Sequence, residues 1–148
     1  YLGKALKFNE KNVRPMGRSA RGVTAIKLGK GDCVVGADVI AENDKYILTV
    51  TETGIGKKSD LALYRLQNRG GKGLINIKIT AERGNVIGLV TLNEEDSEII
   101  LCSEKGILNK QDTAQVRSKG RATQGVKLVN LKPGDRLVAI EKVKKEAD

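Results

Sequence analysis

Gln67-Asn68-Arg69-Gly70-Gly71-Lys72-Gly73 (QNRGGKG) sets an arginine and a lysine among three glycines, with no apolar side chain. It closes a window, Gly54–Gly73, that recurs in the chain. A shift of about 51 residues lays the window over Gly3–Gly22, and a further 52 lays it over Gly106–Gly125. Gly3, Gly54 and Gly106 open the three copies, and Gly22, Gly73 and Gly125 close them. Inside, Lys7, Lys58 and Lys110 coincide, as do Arg14, Arg65 and Arg117, and Arg18, Arg69 and Arg121. Self-similarity at a fixed period of this length is the signature of stacked supersecondary units.

The segments around each window read as short strands. ILTVT (Ile47–Thr51) and IILCS (Ile99–Ser103) precede two of the opening glycines, and Tyr1-Leu2 stands before the third as the end of such a strand. Lys4–Phe8, Gly56–Lys58 and Ile107–Lys110 follow, each leading to a short polar residue, Asn9, Asp60 or Asp112, suited to a turn that its own side chain stabilises. Beyond the windows, VTAIKL (Val23–Leu28), LINIKI (Leu74–Ile79) and VKLVNL (Val126–Leu131) alternate with the period of a half-buried strand. Gly31-Asp32, Gly84-Asn85 and Pro133-Gly134-Asp135 then predict hairpins into Cys33–Val39, Val86–Leu92 and Arg136–Ile140. No stretch carries a helical period. Four short strands per repeat predict an all-β, propeller-like array in which each blade buries its faces against its neighbours. The repeats run approximately over 1–51, 52–103 and 104–141 of a single domain, followed by a mixed-charge tail, Lys142–Asp148. Acidic links, Glu42–Asp44 and Glu94–Glu98, follow two of the partner strands.

Composition narrows the chemistry. The 148 residues contain no histidine, which removes His-based acid–base catalysis, catalytic triads and most zinc sites. No apolar run reaches the roughly 18 residues of a membrane helix, and no stretch resembles a signal peptide. Cys33 and Cys102 lie in apolar runs and read as buried, reduced thiols of a cytosolic protein. A chain that opens on Tyr1 reads as a piece of something longer. The net charge is +9, and its placement is uneven. The windows hold six, five and four Lys/Arg against one acid each, while the remainder carries a slight acidic excess. Three registered copies of a basic segment point to a polyanion partner rather than to a merely solvated face.

Arginine among glycines suits phosphate: the guanidinium donates two parallel bonds, and glycine lets the backbone come close. The candidate contacts are Lys7, Arg14, Arg18 and Arg21 in the first window, and Lys57, Lys58, Arg65, Arg69 and Lys72 in the second. The third supplies Lys110, Arg117, Lys119 and Arg121. GGKG lacks the GxxxxGK[ST] spacing of a nucleotide-binding loop. Aromatic residues make up 3% of the chain, too few for the stacking platforms of single-strand or RNA binders. No helix or ribbon carries a base-reading set. Duplex DNA held by its phosphates, and bent around a rim of repeated clamps, is what remains.

The strings VRPMGRSARGVTAIKLGKGDCVVG, TETGIGKKSDLALYRLQNRGGKGLINIKIT and GRATQGVKLVNL resemble, in order, the C-terminal domain of the bacterial DNA gyrase A subunit. The resemblance covers essentially the whole chain. It implies a β-pinwheel, of which this chain is similar to the last three of six blades. That pinwheel wraps duplex DNA so that the holoenzyme introduces negative supercoils at the expense of ATP. Gln67–Gly73 resembles the family's QRRGGKG-like box, with Asn68 in place of one arginine. It implies no catalytic residue, metal or cofactor in this stretch, ATP and magnesium belonging elsewhere in the holoenzyme. The family's nucleophilic tyrosine likewise belongs elsewhere in the enzyme; Tyr1, Tyr46 and Tyr64 lack its motif and read as packing residues. The implied partners are double-stranded DNA together with the rest of gyrase, its B subunit plus the remainder of its A subunit, in the cytoplasm at the nucleoid. Two alternatives stand beside it: the related domain of topoisomerase IV, and a basic propeller-like scaffold for acidic proteins.

Overall fold

The computed structural model describes residues 1–95 and 98–143. Its strands are β1 (Lys4–Ala5), β2 (Tyr46–Thr51), β3 (Ile55–Asp60), β4 (Leu74–Ile75), β5 (Val86–Leu92), β6 (Glu98–Ser103), β7 (Leu108–Asp112), β8 (Val126–Lys127) and β9 (Leu137–Lys142). Three single 3₁₀ turns, Glu10–Asn12, Leu61–Leu63 and Thr113–Gln115, interrupt them. There is no α-helix among the described residues.

The hairpins form at the glycines that open the windows. β2 pairs antiparallel with β3 from Tyr46↔Asp60 to Val50↔Gly56, and β6 pairs with β7 from Glu98↔Asp112 to Cys102↔Leu108. The intervening turns place Gly54 and Gly106 at φ +82° and +80°, where a side chain would crowd the backbone. β5 lies on the other side of β2, and β9 on the other side of β6. Both of those ladders shift register at the same repeat position, Val50/Thr51 and Cys102/Ser103. A bulge there bends the strand end toward the turn.

The fourth strand of a blade comes from the next repeat. β8 pairs with β3 through Ile55↔Lys127 and Gly56↔Val126, completing the four-stranded sheet β5-β2-β3-β8. β4 pairs with β1 in the equivalent way, through Lys4↔Ile75 and Ala5↔Leu74. The turns at Gly84-Asn85 and Pro133-Gly134-Asp135 therefore carry the chain from one sheet to another. They are not the hairpins their composition predicts, although Gly84 and Gly134 do adopt positive φ.

This exchange shortens several predicted strands. Lys4–Phe8 contracts to Lys4–Ala5, Leu74–Ile79 to Leu74–Ile75 and Val126–Leu131 to Val126–Lys127. Only two residue pairs can form before the exchanged segment turns inward, burying Ile77 and packing Leu128, Val129 and Leu131 on the core. Val23–Leu28 keeps one bridge, Ile26 to Gly71. Cys33–Val39 forms no strand. Its repeat equivalents, β5 and β9, pair with β2 and β6, the strands before the second and third windows, whereas Tyr1 and Leu2 are not in a strand. The segment is tied instead by the Asp38 carboxylate, which accepts from the Thr91 N–H and hydroxyl, both at 2.9 Å. Cys33 is exposed rather than buried, and Cys102 is half-buried; neither forms a disulfide. In the acidic link Glu94–Glu98 and the tail Lys142–Asp148, residues 96–97 and 144–148 lie outside the described residues.

Two clusters hold the blades together. Leu48, Val50, Val90 and Leu92 of the four-stranded sheet meet Ile99, Leu101, Leu137 and Ile140 of the three-stranded one, with Val116 between them. Ile47, on the opposite face of β2, joins Leu61 and Tyr64, with Ala5 packed alongside. β2 is thus covered on both faces, and burial of each aliphatic side chain in it is worth about 1.5–3 kcal/mol.

Candidate nucleic-acid interface

Each window begins its basic stretch with the same local device. The side-chain oxygens of Asn9, Asp60 and Asp112 accept the N–H two residues on, at 2.9, 2.7 and 2.8 Å, and cap the 3₁₀ turns. The residue that ends each turn points inward in the later repeats: Tyr64 is 4% exposed and Val116 3%. The arginine that follows, Arg65 or Arg117, is then turned outward, as is Arg14 in the first repeat.

The chain beyond that arginine is pinned to the preceding blade. Leu66 bridges to Lys7 and Ser118 to Lys58, both parallel, and the N–H groups of Gln67 and Lys119 donate to the Lys7 and Lys58 carbonyls at 2.9 and 2.8 Å. Arg65 therefore stands over the seam between first and second repeats, and Arg117 over the next. Arg65 also lines a shallow groove with Asn9, Asn12, Leu66, Gln67 and Asn68.

The thirteen predicted contacts divide into two kinds. The side chains of Arg14, Arg18, Arg21, Arg65, Lys72, Arg117 and Lys119, all exposed residues, form no hydrogen bond or ion pair with another described residue. The others are engaged within the protein. The Lys7 ammonium donates to the Leu61 carbonyl at 3.1 Å, and Lys58 to the Thr113 carbonyl at 3.0 Å. These two bonds are the same bond one repeat apart, since Leu61 and Thr113 each open a 3₁₀ turn. Lys58 also lies 5.1 Å from the Tyr46 ring centre, and burial lowers its pKa. Lys110, the third of the set, pairs with Glu98 at 2.7 Å.

The registered arginines behave likewise. Arg69 donates to the carbonyls of Asn12, at 2.9 Å, and Thr24, at 3.2 Å; Arg121 donates to Ile75 at 2.6 Å. Thr24 and Ile75 are repeat equivalents, so both guanidiniums latch a window onto the exchanged strand of the blade before it. Repetition of Lys7/Lys58 and Arg69/Arg121 reflects a repeated seam. Their recurrence is therefore accounted for by contacts inside the protein and does not by itself mark phosphate contact.

Lys57 is a sharper correction. It is 1% exposed, and its ammonium donates to the carbonyls of Asn76, Gly120 and Arg121, so it cannot reach a phosphate. Its repeat equivalents are Leu6 and Asn109. Beside it, the Tyr64 hydroxyl donates to Asn76 Oδ1, and Asn76 Nδ2 donates to Thr49 Oγ1. Burial, with Arg121 nearby, pushes the Lys57 pKa down to about 8. Below pH 8 the folded and unfolded chains both carry this charge, and the folded chain bears its burial. Between pH 8 and the ordinary lysine range the folded chain loses the proton while the unfolded chain keeps it. Stability toward urea should therefore rise with pH across that window, and a Lys57→Met variant should lack that increment. Parallel pH profiles for the two proteins would contradict the assignment.

Among the described residues no group of His, Cys, Asp and Glu could hold a metal ion, and no helix is long and apolar enough to cross a membrane. The model of the DNA gyrase C-terminal domain, beta-propeller, matches residues 2–41, 45–93 and 97–144. The DNA gyrase A subunits of Staphylococcus epidermidis and Chlamydia pneumoniae are 39% and 43% identical over 144 residues. Those alignments cover 97% of this chain and only 16% and 17% of the relatives, so the chain spans about one-sixth of their length. A solved DNA gyrase A C-terminal domain superposes with a TM-score of 0.84 at 28% identity, over 95% of this chain and 47% of that one. The C-terminal domain of a DNA topoisomerase IV gives 0.88 at 26%, over 97% and 44%. With its repeat, its strand exchange and the match along nearly its whole length, the chain belongs to the DNA gyrase C-terminal domain, beta-propeller family.

Proposed function

We propose that the chain binds duplex DNA through its phosphates and bends it, as the wrapping module of a gyrase A subunit. The carrying observation is the set Arg14, Arg65 and Arg117, repeated, exposed and without a protein partner among the described residues. In the two later repeats this arginine stands over a blade seam, where a backbone passing from blade to blade would meet it. Arg18, Arg21, Lys72 and Lys119 add charge to the same windows. The three repeats act as one domain without a cofactor of its own. ATP and magnesium enter through the rest of the holoenzyme, its B subunit plus the remainder of its A subunit, in the cytoplasm at the nucleoid. Topoisomerase IV shares the architecture, but the sequence identities of 39% and 43% are to gyrase A subunits.

Binding should be compared on a duplex, a single strand of the same length and an acidic protein, at two salt concentrations. The duplex should bind most tightly and nearly independently of sequence. Its log K–log salt slope should approach about −6 if all seven free cations meet phosphates. Equal or tighter binding to the single strand or to the acidic protein would reject the proposal.

A further inference from the structure

Outside the windows, a second set of cations repeats in register. Lys27 and Lys78 are 51 residues apart, both exposed, and neither side chain bonds to a described residue. Each sits on the segment that follows its own window, and each is tied to the window of the next repeat. The Lys27 N–H donates to the Gly71 carbonyl at 2.8 Å, beside the Ile26–Gly71 bridge, and the Lys78 N–H donates to Thr123 at 3.3 Å. Gly71 and Thr123 are equivalent positions. Three residues upstream of each lysine lies the carbonyl, Thr24 or Ile75, that takes the latching guanidinium of Arg69 or Arg121.

The seam therefore exchanges one cation for another. The arginine that latches it spends donors on a backbone carbonyl. The latched segment then brings the backbone of a lysine with an unpaired side chain up against the same window, beside Gly71 in one case and Thr123 in the other. The latched carbonyl and the lysine lie three residues apart on one segment, so arginine and lysine belong to the same seam. Main-chain bonds hold each lysine's backbone in place, so only the side chain remains to be ordered when an anion arrives.

We propose that Lys27 and Lys78 form a phosphate-binding site at each blade seam, engaging the duplex backbone between the contacts made by successive windows. The inference rests on the duplex-binding function proposed above, and a wild-type chain that fails to bind duplex would reject that function itself. With wild-type binding established, Lys27→Gln and Lys78→Gln should each lower the salt slope by about 0.9, and each should weaken binding several-fold at 0.1 M salt. The loss should be alike on unrelated 30-bp duplexes and recovered by arginine at either position, with the thermal midpoint unchanged. Lys45→Gln is the control, since Lys45 lies outside both windows and seams and pairs with Glu94 at 2.7 Å. An unchanged slope in the Lys27/Lys78 double variant would overturn the site. So would an equal loss in Lys45→Gln, which would reduce the effect to net charge.

Discussion

Replacing Arg14, Arg65 and Arg117 together by alanine should cost roughly 10²–10³ in duplex affinity at 0.1 M salt and flatten the salt slope by about 2.7. Each phosphate contact releases about 0.9 of a counterion, which at that salt concentration is a factor of about eight, and three such factors multiply. The side chains touch no described residue through a hydrogen bond or ion pair, so the folded chain should be as stable as before. Arg69→Ala and Arg121→Ala should do the reverse. Those guanidiniums hold the Asn12, Thr24 and Ile75 carbonyls, and their loss should lower the unfolding midpoint while leaving most of the slope in place. Titrations at four salt concentrations, read beside thermal melts, separate the two classes. Loss of slope in Arg69→Ala equal to that in Arg65→Ala, without destabilisation, would show that the latching arginine serves DNA after all.

The second large effect concerns how the blades join. Gly3, Gly54 and Gly106 hold the same repeat position with φ of +80°, +82° and +80°. The first two face the equivalent carbonyls, Ile77 and Val129, of the repeat that follows each, and Gly106 faces neither. A Cβ on Gly54 would lie 2.7 Å from the Val129 carbonyl oxygen of the following repeat, whereas a Cβ on Gly106 would meet nothing within 4 Å. Alanine at Gly106 should then cost only the left-handed backbone, about 1–2 kcal/mol. Alanine at Gly54 adds the displacement of an exchanged strand, for a total of about 2–5 kcal/mol. Urea unfolding of the two variants gives the difference directly. Equal losses would mean that β8 and the segment after it do not press on the β2–β3 turn as the structure places them.

Much of this architecture was legible because it repeats. The window glycines, the Asn9/Asp60/Asp112 turns and the alternating segments beyond Gly22, Gly73 and Gly125 announce strands and tight turns from residue type alone. The strand exchange did not announce itself. Val126–Lys127 alternates in the same way whether it pairs with β9 across its own turn or with β3 of the blade before, and only the packed structure distinguishes them. Cys33–Val39 has the composition of a strand but pairs in no ladder of the structure, and pairing is invisible in composition.

The basic residues show the limit more sharply. Registered recurrence means that a side chain meets the same surroundings in each repeat, not that those surroundings are solvent. A backbone carbonyl and a phosphate both select a cation, so Lys7 and Lys58, or Arg69 and Arg121, look the same in sequence as Arg14, Arg65 and Arg117. One clue was available: Arg65 and Arg117 directly follow a hydrophobic residue at the end of a capped turn, Tyr64 or Val116, which the structure buries. Lys57 carried a clue of its own, since its repeat equivalents are Leu6 and Asn109 rather than further basic residues.

The claim that repeated free cations bend a duplex around a rim can be measured by energy transfer between dyes at the two ends of a 30-bp duplex, read with the binding isotherm. Bending such a site by 40–90° costs on the order of 1–6 kcal/mol, so the outer windows must offset that cost. Neutralising Arg14, Arg18 and Arg21, or Arg117 and Lys119, should remove much of the bend while appreciable affinity remains. Neutralising Arg65 and Lys72 in the middle should lower affinity and leave the remaining complexes bent. If outer and middle variants lose bend and affinity in the same proportion, the windows do not act in order along a rim, and the account of bending is wrong.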